Sequence, residues 1–381
     1  MSGQPHQPRP PDTRRVVFFS AAPQSIGHVY RVEHVAGALK AAGWQITIRS
    51  LHDDAAATHV ATASLVSIFR GSWGEPFARI RAACSAQGIP LVFDIDDLLF
   101  DPAVSAAVWI AFFDTLLPAE RERWIAAAGS YQAALAAADA AVLTTPALAA
   151  AAAAVCRQVQ VLPNALDRQM EQAAAAALGM TKASAGDGRP RFIFAGGTPT
   201  HHRDFAVAAE AIARVMHRRP EPILVILGHL DPSIYSALTP FAGRIETRPP
   251  VPLLDLFSEL ARCDLNLCPL ELANPFNEAK SNVRWLTAAA VGLPSIVTPT
   301  GPLQDAVTDW HTGLVANNVS GWEAALDAVL DRQVDLAALG VAARLDALGR
   351  FGFTRWSVEA AEVYAAILDR WYSCCSGARL P

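Results

Sequence analysis

"KASAGDGRPRFIFAGG", residues 182–197, is where the chain starts over. A run of small and polar residues, read as a linker, gives way to an apolar strand that ends on Gly196-Gly197. The same grammar has already run once upstream. "RRVVFFSAA" (14–22) is a continuous apolar run, as expected of a strand buried on both faces. It is followed by "RVEHVAGALKAAGW" (31–44), where Val32, Val35, Ala36 and Leu39 fall at helical spacing and Gly43 supplies the stop. "WQITIRSL" (44–51), "ASLVSIFRG" (63–71) and "IPLVFDIDD" (89–97) continue as strands, with a helix near 76–87 and mainly helical sequence over 103–137. "DAAVLTTP" (139–146) and "VQVLPNALD" (159–167) add two short strands. Strand and helix alternating at this spacing give a parallel sheet with crossover helices.

After residue 190 the alternation repeats. Helices are expected over "DFAVAAEAIARVMHRRP" (204–220), "PLLDLFSELARC" (252–263) and "EAKSNVRWLTAAAVG" (278–292), interleaved with strands in "EPILVILG" (221–228), "DLNLCPLE" (264–271) and "LPSIVTP" (293–299). "FTRWSVEAAEVYAAILDRWY" (353–372) reads as a closing amphipathic helix. The expected class is therefore α/β, with two Rossmann-like domains whose parallel sheets face across a cleft. The expected divisions are a disordered tail at 1–13, a first domain at 14–167, the linker at 168–190, a second domain at 191–350 and a terminal crossover helix at 351–372. The cleft is the default ligand site.

Composition narrows the function classes. The 381 residues are 52% hydrophobic and 18% charged, which suits two packed domains and argues against general disorder. Net charge is −5 with no long basic block, so nucleic acid is not an expected partner. The six cysteines form no CxxC pair and no zinc spacing, pointing to a reducing cytoplasm and no metal site. The first fifteen residues lack an apolar signal core, and the uncharged runs 140–156 and 285–304 contain Pro and do not read as membrane spans. Peripheral contact at the inner face of a membrane remains compatible with this composition.

Three stretches carry chemistry. In "VFDIDDLLFD" (92–101) a strand runs into Asp94, Asp96 and Asp97. Locally this resembles the first motif of haloacid-dehalogenase-like phosphatases, with Asp94 as nucleophile and Asp96 as acid/base beside Mg²⁺. The context disagrees: three strands precede it, and Leu98 stands where Thr is usual. Asp94 is expected to be structural. Asp96 and Asp97, with His28 and Arg31, are expected to line the cleft. In "FAGGTPTHHRDF" (194–205), Gly196, Gly197 and Thr198 permit close approach of a phosphate at a helix start, Arg203 adds charge and Asp204 reads as an N-cap. In "PLELANPFNEAKSNVRWLTAAAVGLPSIVTPTG" (269–301), Lys280 and Arg284 are four apart and are expected on one helical face beside Ser281, with free N–H groups completing a diphosphate cradle. Glu278 can accept hydrogen bonds from sugar hydroxyls.

"AAAVGLPSIVTPTGPLQDAVTDWHTGLV" resembles the donor-site region of the large family of retaining GT-B glycosyltransferases, the glycosyltransferase family 4-like or group 1 enzymes. "VLPNALD" (161–167) is similar to their interdomain segment. "GGTPTHHRDF", "PLELANPFNEAKSNVRW" and "VFDIDDLLFD" together resemble a bacterial subgroup of cell-surface polysaccharide assembly, and the resemblance covers about residues 15–372. It implies a cytoplasmic hexosyltransferase that moves a sugar from a nucleotide-diphosphate sugar to a saccharide or lipid-linked acceptor. The resemblance further implies that configuration is retained and that no metal or other cofactor is needed. It also implies that Arg203 and Lys280 contact the diphosphate, that Glu278 faces the donor sugar, and that Gly196, Gly197 and Thr198 admit the phosphates. One position departs: the family's ribose-binding Glu, five residues before the Gly of the "AAxGxP" pattern, corresponds to Thr287. Threonine offers one hydroxyl and no anionic fork. That departure raises the alternative of a non-catalytic GT-B binding subunit, beside the weaker alternative of a Mg²⁺-dependent phosphatase centred on Asp94.

Overall fold

The structure, a computed structural model, describes residues 14–107, 117–180, 182–196 and 201–375. The tail expected at 1–13 lies outside the described residues. Two compact units are present. The first comprises Met1–Ala107, Ala119–Asn164 and Thr354–Pro381, and the second Val108–Pro118 and Ala165–Phe353.

The first unit is built on six strands: β1 (Arg15–Ser20), β2 (Gln45–Ser50), β3 (Leu65–Phe69), β4 (Leu91–Ile95), β5 (Ala140–Leu143) and β6 (Val159–Val161). They lie in the order β2-β1-β3-β4-β5-β6, all parallel. Every residue of β3, β4 and β5 is buried, which explains why their sequences are unbroken apolar runs instead of alternating ones. The helix Glu75–Gln87 stops at Gly88, whose φ of +66° is the left-handed turn that glycine takes without penalty. The C-terminal helix Phe353–Cys375 packs on this unit from Thr354 onward. Trp356 Nε1 donates to Pro163 O at 2.8 Å and Trp371 Nε1 to Gly88 O at 3.0 Å, while the Tyr364 ring lies 6.0 Å from Phe18.

The second unit repeats the plan with β7 (Arg191–Gly196), β8 (Ile223–Gly228), β9 (Ile245–Arg248), β10 (Leu265–Cys268), β11 (Ser295–Val297) and β12 (Leu314–Val315). The order is β12-β11-β10-β7-β8-β9, again all parallel. Phe194, Phe205, Ile212, Leu267 and Trp322 anchor its core. The stretch 168–190, expected as a linker that begins with an Ala-rich helix, opens with the helix Arg168–Ala177 and falls within this unit. Asp167 caps it by accepting from Met170 N at 2.7 Å, and Met170, Ala174 and Ala177 are buried.

Strand order locates each unit's switch point, where neighbouring crossovers leave in opposite directions and open a crevice at the carboxyl ends. It falls between β1 and β3 in the first sheet and between β7 and β10 in the second. Among the described residues, no helix is long and apolar enough to cross a membrane.

The first unit is locked by an ion pair with no exposure. Arg31 Nε and Nη2 donate to the two oxygens of Asp94 at 2.8 and 2.9 Å. Its Nη1 donates to Leu162 O at 2.6 Å, and both side chains are buried. Removing one partner strands the other charge in the core. Arg31→Ala is therefore expected to destabilise the protein by about 3–5 kcal/mol, read as a lower urea midpoint. The apolar double replacement Arg31→Met/Asp94→Leu should recover most of that loss. An unchanged midpoint in the single variant would show that the pair contributes nothing.

Candidate active site

In the second unit the ends of the neighbouring strands β7 and β8 set the geometry beside the switch point. Gly228 ends β8 with φ of +114°, and a Cβ there would collide with the carbonyl oxygen of Gly196. The two strand ends meet backbone to backbone, which requires glycine at 228. Gly197 and Thr198, expected to admit phosphates, lie outside the described residues.

Next to these strand ends sits a carboxylate that the sequence offered only as a helix cap. Asp204, in the first turn of the helix His202–Arg218, is 4% exposed and does not cap it. Its Oδ1 accepts from Asn277 Nδ2 at 2.8 Å and from Glu271 N at 3.2 Å. Its Oδ2 accepts from Lys280 Nζ at 2.9 Å and pairs with His201 Nδ1 at 3.0 Å. Burial opposes its ionisation, but the hydrogen bond from His201 and the Lys280 charge outweigh burial and hold its pKa well below the usual carboxylate range. An ionised Asp204 accepts only, so His201 carries its proton on Nδ1 and donates it. The His201 imidazole is itself pushed down to about 4, by burial first and then by the Arg284 and Lys280 cations, against the pull of Asp204.

The loop after β10 is shaped to serve this carboxylate. Asn274 caps the helix Pro275–Glu278 by accepting from Phe276 N at 3.0 Å. Asn277 also donates to Glu271 O at 3.0 Å, closing the loop on itself. The expectation that Lys280 and Arg284 share one helix is corrected here. The helix Pro275–Glu278 ends before Lys280, and the next, Val283–Ala290, begins after Asn282. Lys280 and Ser281 lie in the connection, where Lys280 is drawn onto Asp204. Arg284 is helical, with its guanidinium 4.7 Å from the centre of the Phe194 ring, and Nη1 donates to Pro269 O at 3.4 Å. Both cations nevertheless act on His201. Arg203 is exposed on the first turn of the helix His202–Arg218.

Glu278 is half-buried, and its Oε2 accepts from Gly301 N at 2.7 Å. Gly301 has φ of +35°, and a Cβ there would strike the backbone oxygen of Glu278, so the fit needs glycine. Thr287, expected to meet a ribose, is 5% exposed. Its hydroxyl donates to Val283 O at 3.0 Å, one turn back on its own helix.

In the first unit, Arg70 gathers the two remaining carboxylates of the "FDIDD" stretch. Its Nε donates to Asp96 Oδ1 at 2.6 Å and its Nη2 to Asp97 Oδ2 at 2.8 Å. The two aspartates keep 12% and 31% of their side chains exposed. Asp96 Oδ2 presses so close to Gly27 that any side chain at 27 would collide with it. Arg31 does not line an open surface, because all its polar atoms are spent inside the unit on Asp94, Leu162 and Asn164. His28 is 6% exposed, with Nδ1 2.9 Å from Ser20 Oγ, and burial lowers its pKa. Asp94 cannot present a nucleophilic oxygen, because both are committed to Arg31.

The second unit also has a sequence signature. Residues 189–332 match the family model of glycosyl transferases group 1. No match is found among curated proteins. Similar folds recur along nearly the whole chain. Sucrose-phosphate synthase of Thermosynechococcus elongatus is 16% identical with a TM-score of 0.66, covering 94% of this chain and 100% of its own. HepE of Anabaena, solved in complex with UDP and glucose, is 13% identical with a TM-score of 0.63, covering 93% and 100%. A glycosyltransferase of Rickettsia africae is 12% identical with a TM-score of 0.66, covering 94% and 99%. The fold is GT-B. At these identities the likeness concerns architecture, and chemistry must be argued from the side chains.

Two outcomes follow from this geometry. Thr287→Val should leave nucleotide binding unchanged, measured by calorimetry, since the lost hydroxyl serves only its own helix. His201 is depressed in the folded state from the ordinary 6.5 to about 4. Between these values the unfolded chain binds the extra proton, so stability falls as pH drops from 6.5 toward 4. His28 adds in the same direction. Urea midpoints across that range should decline less steeply in His201→Gln; an equal slope would contradict the shift.

Proposed function

We propose that this chain is a glycosyltransferase of GT-B type that takes a nucleotide-diphosphate sugar as donor and a saccharide or lipid-linked molecule as acceptor. The observation that carries the reading is the group at the β7/β10 switch point: Lys280 and Arg284, held against Asp204 and the Phe194 ring, beside glycine strand ends. Fixed cations at such a crevice suit a diphosphate that gains charge as it leaves. The match of residues 189–332 and the UDP and glucose in the HepE complex support the same donor class. Retention of configuration, independence from metal and a cytoplasmic site of action at the inner face of a membrane belong to this proposal through the family resemblance.

The residues take separate parts in it. Lys280 and Arg284 stabilise the departing diphosphate, and Arg203 adds charge from the exposed turn. Glu278, fixed by Gly301, faces the donor sugar. Asp96 and Asp97, held by Arg70, serve the acceptor side. Asp204 sets the position of Lys280 and is a positioning residue.

Transfer from UDP-, GDP- and ADP-sugars in EDTA tests the reading, with full activity expected. Lys280→Gln keeps a donor for Asp204 while removing the charge, and it is expected to lower kcat by about 10²–10³-fold, the usual cost of one transition-state donor. Activity that needs added metal, or a variant with unaltered kcat, would overturn it. A second reading is favoured by Thr287, which is turned onto its own helix: a GT-B subunit that binds sugar nucleotides without transferring. Binding of a donor with no turnover on any acceptor would select that reading.

A further inference from the structure

We propose that His201 is a proton-coupled phosphate ligand: neutral in the free protein, it takes up one proton from solvent when the diphosphate of a sugar nucleotide arrives, and the imidazolium donates Nε2–H to a phosphate oxygen. The inference rests on the donor reading above and deepens it.

The geometry prepares this role. Nδ1 is spent on Asp204 at 3.0 Å, which fixes both the tautomer and the ring. Among the described residues, Nε2 has no hydrogen-bond partner, and the side chain keeps 17% exposure. The surrounding charges are set against protonation. Lys280 from the connection after Pro275–Glu278 and Arg284 from the helix Val283–Ala290 are cationic, and Asp204 is the anion facing the ring. The Tyr235 hydroxyl donates to His202 O at 2.7 Å, and the Glu271 carboxylate is held by Asn274 Nδ2 at 2.9 Å. Two cations against one anion leave a positive field at the ring. A diphosphate seated beside those cations carries at least two negative charges and reverses its sign.

An anion within reach raises an imidazole by about 1–3 pH units, which carries His201 from about 4 into the range where protein and ligand share a proton near pH 5.5. Lys280 and Arg284 bind the same group whatever the pH. His201 adds a donor that exists only when the ligand is present.

The test is calorimetry of UDP-, GDP- and ADP-glucose at pH 5.5 without acceptor, in buffers of different ionisation enthalpy. Both phosphates of these ligands are diesters with no proton of their own to exchange near that pH, so uptake reports the protein. Expected is a gain of about 0.2–0.9 proton per site, with affinity weakening toward pH 8, and loss of the uptake in His201→Gln. Should that variant fail to fold, nitrogen-15 NMR of histidine in the parent reads the same event, as one imidazole whose titration moves upward by at least about one unit on adding ligand. Binding without proton uptake, or equal uptake in His201→Gln, overturns this inference and leaves the donor reading standing. Absence of binding by all three ligands overturns both.

Discussion

The second unit depends on keeping the Asp204 carboxylate ionised where water hardly reaches. Burying a charge without partners costs several kcal/mol, so the chain must bring donors to it. It brings them from far away in sequence: Glu271 N–H, Asn277 and Lys280 all lie on the loop after β10. Asp204 itself follows β7. These two strands flank the switch point, and their connections would otherwise diverge over opposite faces of the sheet. The carboxylate ties them together at the mouth of the crevice. Loop shape, Lys280 position and the His201 tautomer are therefore consequences of one desolvated charge and cannot vary independently.

The first unit solves a similar problem with a different result. Asp94 is buried too, but Arg31 meets it with a planar fork and directs its remaining donors at Leu162 O and Asn164. Nothing of the pair is left for a ligand. Two residues later Arg70 holds Asp96 and Asp97 at the rim, where part of each carboxylate still reaches solvent. One strand end thus carries a sealed acid and two accessible ones. Only the arginine that each attracts distinguishes them, and neither Arg31 nor Arg70 is adjacent to the motif in sequence.

That distance sets what could be read beforehand. Strands such as β1, β3 and β4 were legible because burial on both faces forces an uninterrupted apolar run. The restart after residue 190 was legible for the same reason. Glycine at 196 could be assigned to a strand end, since a close approach leaves a local mark. The pairing of Lys280 with Arg284 on one face failed because four-residue spacing implies a shared face only in an unbroken helix. The break follows from Asn277 and Lys280 turning toward Asp204, a contact across more than seventy residues that no local period records. Thr287 illustrates the converse. Its place in the motif suggested a ligand, while its hydroxyl had a nearer acceptor on the preceding turn. The signal for Asp204 was present but ambiguous, as an acid at a helix start reads as a cap until burial shows otherwise.

A cationic crevice without its own anion would be unstable in a specific way. Lys280, left alone, would extend its flexible stem toward water and surrender the geometry that makes it useful. Asp204 prevents this, yet a carboxylate beside the ammonium also weakens the field offered to an incoming phosphate. The structure limits that loss by dividing the acid among four donors, three of which are not Lys280. All three, an amide N–H, a side-chain amide and the neutral imidazole of His201, bring no net charge. Asp204 thus anchors Lys280 with only part of its acceptor capacity. Arg284 needs no carboxylate at all, because the Phe194 ring and the Pro269 carbonyl hold it. The result is two immobilised cations whose charge is incompletely cancelled, in a setting of low solvent exposure where Coulomb forces are strong. On the proposed reading, such an arrangement would offer a diphosphate two cations that need not move when it arrives.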